Sequence, residues 1–142
     1  MASTPSDRQS EPQIKVKQVT AERNEIVGFW NIGWRVTNLG RYPIQILSVR
    51  LPHGQFKSEG RLFEPAMDLN GGDEVQFRTP VRCDEPSGLV TENAFLIFYV
   101  TWLDEPWRIF ARFRVVVNSD GKPETATESI TTQKVGFSGV SS

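Results

Sequence analysis

The stretch Phe29 to Pro43, FWNIGWRVTNLGRYP, constrains this chain more than any other. Trp30, Ile32, Trp34 and Val36 alternate with Asn31, Gly33, Arg35 and Thr37. A period of two places every second side chain on one face of a strand, so two indoles, an isoleucine and a valine lie against a core. The segment then stops at Asn38-Leu39-Gly40-Arg41-Tyr42-Pro43, a cluster of turn-forming residues. The pattern announces a β-sandwich and no chemistry.

The same period recurs along the chain. Ile14-Lys15-Val16-Lys17-Gln18-Val19 alternates and is followed by a polar turn over Ala21 to Glu25; the second strand runs from about Val27 to Thr37. Ile44 to Leu51 is a third strand. Its alternation slips between Ile46 and Leu47, the mark of a β-bulge or a wholly buried stretch. Pro52-His53-Gly54 ends it. Apolar residues are scattered from Gln55 to Leu69, where only a short edge strand near Arg61 to Phe63 is expected. Asn70-Gly71-Gly72-Asp73 is a turn, Glu74 to Thr79 alternates until Pro80 closes it, and an acidic, Pro- and Gly-containing loop follows over Asp84 to Gly88. Glu92 to Leu103 is apolar on both faces and belongs at the centre of a sheet. Asp104-Glu105-Pro106 makes a hairpin turn into Trp107 to Val117, with Trp107, Ile109, Ala111, Phe113, Val115 and Val117 on one face.

No helix stands out. The expected architecture is all-β: an antiparallel β-sandwich of about seven strands over residues 13–117, with disordered termini. Residues 1–12 are polar and read as a disordered arm. Residues 118–142, rich in Ser, Thr and Gly, read as a flexible tail, whose hydrophobic spot at Val135-Gly136-Phe137 could dock on the sandwich or on a partner.

Composition narrows the function. With 142 residues, 38% of them apolar, the chain can build one core. No apolar run reaches the roughly 18–20 residues of a membrane span, and the N-terminal residues lack the hydrophobic stretch of a secretory signal. Sixteen basic and 17 acidic residues leave a net charge of −1, which argues against general nucleic-acid binding. The one cysteine, Cys83, cannot form an intramolecular disulfide or, alone, a structural zinc site. No Asn-x-Ser/Thr sequon occurs. A soluble cytoplasmic protein without cofactor is expected, with no membrane insertion.

Catalysis finds few residues to work with. The only histidine, His53, sits in a Pro-His-Gly turn with no nucleophile motif around it. Cys83 beside Arg82 reads as an inert thiol at a strand end. Paired carboxylates occur at Asp73-Glu74, Asp84-Glu85 and Asp104-Glu105; oxygen ligands on converging loops could hold calcium, but turns favour Asp and Pro for backbone reasons alone. Asn70-Gly71-Gly72 lacks the lysine and helix of a phosphate-binding loop. No catalytic residue and no metal ligand is assigned, and the chain is read as non-enzymatic.

The run Trp34-Arg35-Val36-Thr37-Asn38-Leu39-Gly40, then Pro43-Ile44, Val49-Arg50-Leu51 and Leu69-Asn70-Gly71-Gly72-Asp73-Glu74-Val75, resembles the pattern of prokaryotic immunoglobulin-like modules. In these a V-x-N-x-G strand end precedes a strand ending near an L-x-x-G-x turn. The resemblance loosely covers residues 13–117 and its motifs are structural. It implies an immunoglobulin-like sandwich that acts as an accessory or adhesion module, and it carries over no catalytic residue. The paired cysteines that pin the sheets of antibody-type domains are missing.

Two surfaces remain as candidates. Arg108, Phe110, Arg112 and Arg114 point away from the Trp107 face of the last strand; Tyr99 on its hairpin neighbour and Arg50 on the third strand join them if the three strands share a sheet. Arginine interleaved with aromatic rings is the composition of protein-binding surfaces, while the plainer reading of the same residues is a solvated sheet face whose Arg stems cover apolar strands. The alternative is a carbohydrate or other ligand stacked on Trp102 and Trp107, which flank the Asp104-Glu105-Pro106 turn; their alternation favours core packing.

Overall fold

Alternating apolar residues close into two packed sheets. The computed structural model describes residues 10–51, 58–83 and 85–135. His53, Asp84, Phe137 and residues 1–9 of the expected arm lie outside them. Eight strands follow in order: β1 (Ile14–Arg23), β2 (Phe29–Asn38), β3 (Ile44–Leu51), β4 (Ser58–Leu69), β5 (Glu74–Arg82), β6 (Val90–Trp102), β7 (Glu105–Val117) and β8 (Pro123–Lys134). They form a three-stranded sheet in the order β1-β2-β5 and a five-stranded sheet in the order β4-β3-β6-β7-β8. Every neighbouring pair is antiparallel.

The core fills the space between the sheets. Trp30, Ile32, Trp34 and Val36 of β2 are buried, as are Trp107, Ile109, Ala111, Phe113, Val115 and Val117 of β7. Trp34 is wholly enclosed and meets Phe113 of the opposite sheet at 5.5 Å between ring centroids. Its indole N–H donates to Thr79 Oγ1 at 2.9 Å, so the buried donor is satisfied. This ring contact joins the two sheets across the core.

Segments 38–42 and 69–73 interlock at one end of the sandwich. Asn38 is fully buried. Its amide donates to Tyr42 O at 2.8 Å and to Leu69 O at 2.9 Å, and its Oδ1 accepts from Gly40 N at 2.9 Å. Its backbone exchanges bonds with the Asn70–Asp73 turn: Asn38 N donates to Asp73 O, and Asn38 O accepts from Gly72 N. A side chain on Gly71 would meet the carbonyl oxygens of Gly40 and Arg41 at 2.8 Å, so this crossing needs glycine. One asparagine therefore ties β2 and β5 of one sheet to the ends of β3 and β4 in the other.

Three local differences from the sequence reading have physical causes. β4 is long, from Ser58 to Leu69, where only a short strand was expected, because its apolar residues do not alternate. β5 continues through Pro80 to Arg82; as an edge strand it can turn the missing N–H away from its neighbour. The β6–β7 turn is Leu103-Asp104, with φ of 51° and 61°, the two-residue geometry whose twist matches a hairpin. Glu105 and Pro106 already belong to β7. The slip expected in β3 is present: its register shifts between Ile46 and Ser48 against both neighbours.

The largest difference concerns residues 118–142. The stretch expected to be a flexible tail holds β8, which pairs with β7 along nearly its whole length, from Val117↔Pro123 to Trp107↔Lys134. Its apolar content is low because it is an edge strand. Side-chain bonds to β1 hold its other flank. Gln18 Nε2 donates to Pro123 O at 3.0 Å, Thr125 N donates to Gln18 Oε1 at 2.9 Å, and Thr127 Oγ1 donates to Val16 O at 2.9 Å. Thr132 Oγ1 bonds Glu11, and Pro12 is buried, so residues 10–12 of the expected arm also lie on the sandwich.

Candidate docking face on the five-stranded sheet

Antiparallel register decides which outward side chains become neighbours. On β6 and β7, Tyr99 stands opposite Arg108, Ile97 opposite Phe110 and Phe95 opposite Arg112. On β3, Ser48 stands opposite Tyr99 and Arg50 opposite Ile97. Arg50, Tyr99, Arg108, Phe110, Arg112 and Arg114 thus share the outer face of one sheet, as the parity of the sequence anticipated. The register adds Phe95 and Ile97, which the sequence reading left unassigned because β6 is apolar on both faces.

The face has an apolar centre. Phe95 and Phe110 meet edge to face at 6.5 Å between centroids. Ile97 points outward yet is only 6% exposed, because rings and arginine stems cover it. At one end, Arg50 and Arg108 make cation–π contacts with the same ring: their guanidinium carbons lie 5.8 and 5.3 Å from the Tyr99 centroid. At the other end the cations are compensated. Arg114 Nε lies 3.3 Å from Glu92 Oε2, and Arg112 Nε lies 4.0 Å from Glu128 Oε1. Asn93, at φ 59° in the β6 bulge, accepts a long contact of 3.5 Å from Arg112 Nη1. Among the described residues no carboxylate pairs with Arg50 or Arg108.

The indole pair is elsewhere. Trp102 and Trp107 are 3% and 8% exposed and sit on the core face of the same sheet. They pack edge to face at 5.7 Å, and Tyr42 meets Trp102 at 6.1 Å. A sugar-stacking platform needs an open ring face, and neither ring offers one. The correction follows from parity: Trp102 continues the row of Phe98 and Val100, and Trp107 that of Ile109 and Phe113.

No family model matches this chain, and no curated protein does. One solved structure, described as "X-ray structure of Northeast Structural Genomics Consortium target SoR45", is similar at 10% identity, over 88% of this chain and 86% of that one, with a TM-score of 0.29. Geometry alone therefore carries the functional reading.

Three of the other residues considered for chemistry, Cys83, Glu74 and Glu105, sit in structural contacts. Cys83 is 5% exposed, and its backbone N–H donates to Gly28 O. Glu74 pairs with Arg35 at 3.5 Å and Glu105 with Lys134 at 3.0 Å. Among the described residues, no three His, Cys, Asp or Glu side chains cluster as a metal site would require. Nor is any helix there long and apolar enough to cross a membrane.

Proposed function

We propose that this chain is a non-enzymatic accessory module of immunoglobulin-like type that docks a protein partner through the outer face of its five-stranded sheet. The strand order supports the family reading: β1, β2 and β5 take the places of strands A, B and E, and β3, β6 and β7 those of C, F and G. β4 extends that second sheet at one edge and β8 at the other. A single cysteine in the whole chain supports a reducing compartment, the cytoplasm.

The observation that carries the docking reading is the pairing of an outward ring cluster, Phe95 with Phe110, with two guanidiniums over Tyr99 that meet no carboxylate among the described residues. Water gains nothing from the rings, and the cations lack counter-charges within the described chain. A protein surface offering apolar side chains and carboxylates complements both. The overall charge of −1 supports protein rather than nucleic acid as the ligand.

Affinity capture from a cell extract tests the proposal when wild type is run beside Phe110→Asp and Gln76→Asp, the latter on the opposite sheet. The expected result is a partner retained by wild type and Gln76→Asp and lost from Phe110→Asp. If folded Phe110→Asp retains every captured protein, the face is not the docking surface.

A further inference from the structure

Resting on the docking reading above, we propose that Arg50, Tyr99 and Arg108 form its recognition core and grip two carboxylates of a short extended acidic segment of the partner. The three side chains come from three adjacent strands, so sheet register fixes their spacing. Cation–π contact with one ring holds both guanidiniums in place before the partner arrives, and less side-chain entropy is lost on binding. Arg108 Nε is shielded and meets no acceptor, so this group recognises through its outward Nη donors, the edge that takes a carboxylate in bidentate fashion.

The other half of the face sets the polarity of docking. Arg112 and Arg114 already face Glu128 and Glu92, and a partner carboxylate there would meet like charge. The acidic part of the partner therefore lies at the Tyr99 end, with apolar residues running toward Phe110. Carboxylates two residues apart on an extended chain lie about 7 Å apart on one side, which lets a single short segment address both arginines while intervening side chains turn away. Two arginines make too small a basic surface to track a phosphate backbone, so an acidic peptide fits better than nucleic acid.

Titration calorimetry of the full chain with three probes tests this: a peptide of alternating Asp and Leu, the same peptide with Asn for Asp, and a uridine oligonucleotide. The Asp–Leu peptide is expected to bind, with at least about tenfold weaker binding by the Asn version and by Arg50→Ala or Arg108→Ala. The double variant Arg112→Ala/Arg114→Ala should stay within about threefold of wild type. Arg50→Lys/Arg108→Lys keeps the charge and the fold but not the planar guanidiniums, and should lose most of the affinity. Full affinity in that lysine variant would overturn the clamp. So would failure of the peptide to bind folded wild type, or oligonucleotide binding in its place. Failure of the clamp leaves the docking reading standing if Phe110→Asp still releases the captured partner, and the docking reading falls only if it does not.

Discussion

On the outer face of the three-stranded sheet, Lys17, Arg35 and Gln76 stand in one row across β1, β2 and β5, and Lys15, Thr37 and Glu74 in the next. Every one of these side chains is polar, and Arg35 is paired with Glu74. On the outer face of the five-stranded sheet the corresponding rows are Ser48, Tyr99 and Arg108, then Arg50, Ile97 and Phe110. Both faces belong to the same sandwich and rest on the same kind of core. Folding requires apolar side chains only on the inner faces, so the first pattern is what a solvated sheet needs, and the second carries rings in excess of it. The difference separates what builds the fold from what the fold presents.

The interior sets the scale against which either face is judged. Trp34→Ala removes a fully enclosed ring and its bond to Thr79. It should cost about 4 kcal/mol in chemical denaturation, or prevent folding. Asn38→Ala comes next: it strands the carbonyls of Tyr42 and Leu69 and the N–H of Gly40, and should cost about 3 kcal/mol with the exchange of nearby amides accelerated. The two faces are then compared directly. Phe110→Asp, which gives up the ring contact with Phe95, should cost about 1–2 kcal/mol and Gln76→Asp less than about 1 kcal/mol, yet with both chains folded only Phe110→Asp should abolish partner binding. Equal effects of the two on binding would erase the distinction between the faces. The smallest effect belongs to the exposed pairs: Arg114→Ala should cost less than about 1 kcal/mol, and what it costs should shrink in high salt.

Alternation made the core strands legible. The parity of β2 and β7 assigned Trp34 and Phe113 to the interior, and the slip at Ile46-Leu47 showed the bulge in β3. The candidate face was legible only in part. β7 alternates cleanly, so Arg108, Phe110, Arg112 and Arg114 could be placed together, whereas β6 is apolar on both sides and hid Phe95 and Ile97 among core residues. Only register shows that Ile97 faces out beside Phe110. β8 escaped for the opposite reason. Its Thr-rich edge strand lacks the hydrophobic signal that reading by period depends on. It is held by the β7 ladder and by Gln18 and Thr127, residues far apart in sequence. Thr is nonetheless a good strand former, and the run Thr125 to Thr132 contains four of them, a signal that propensity could have supplied.

Footprinting of the full chain with a carbene label, free and bound to the protein it captures, tests the central claim most directly. The account predicts that labelling of Tyr99, Phe110 and Arg108 falls on binding while Lys17, Gln76 and Arg78 are labelled as before. Protection of the three-stranded sheet, with the outer face of β6 and β7 left as reactive as in the free chain, would contradict it.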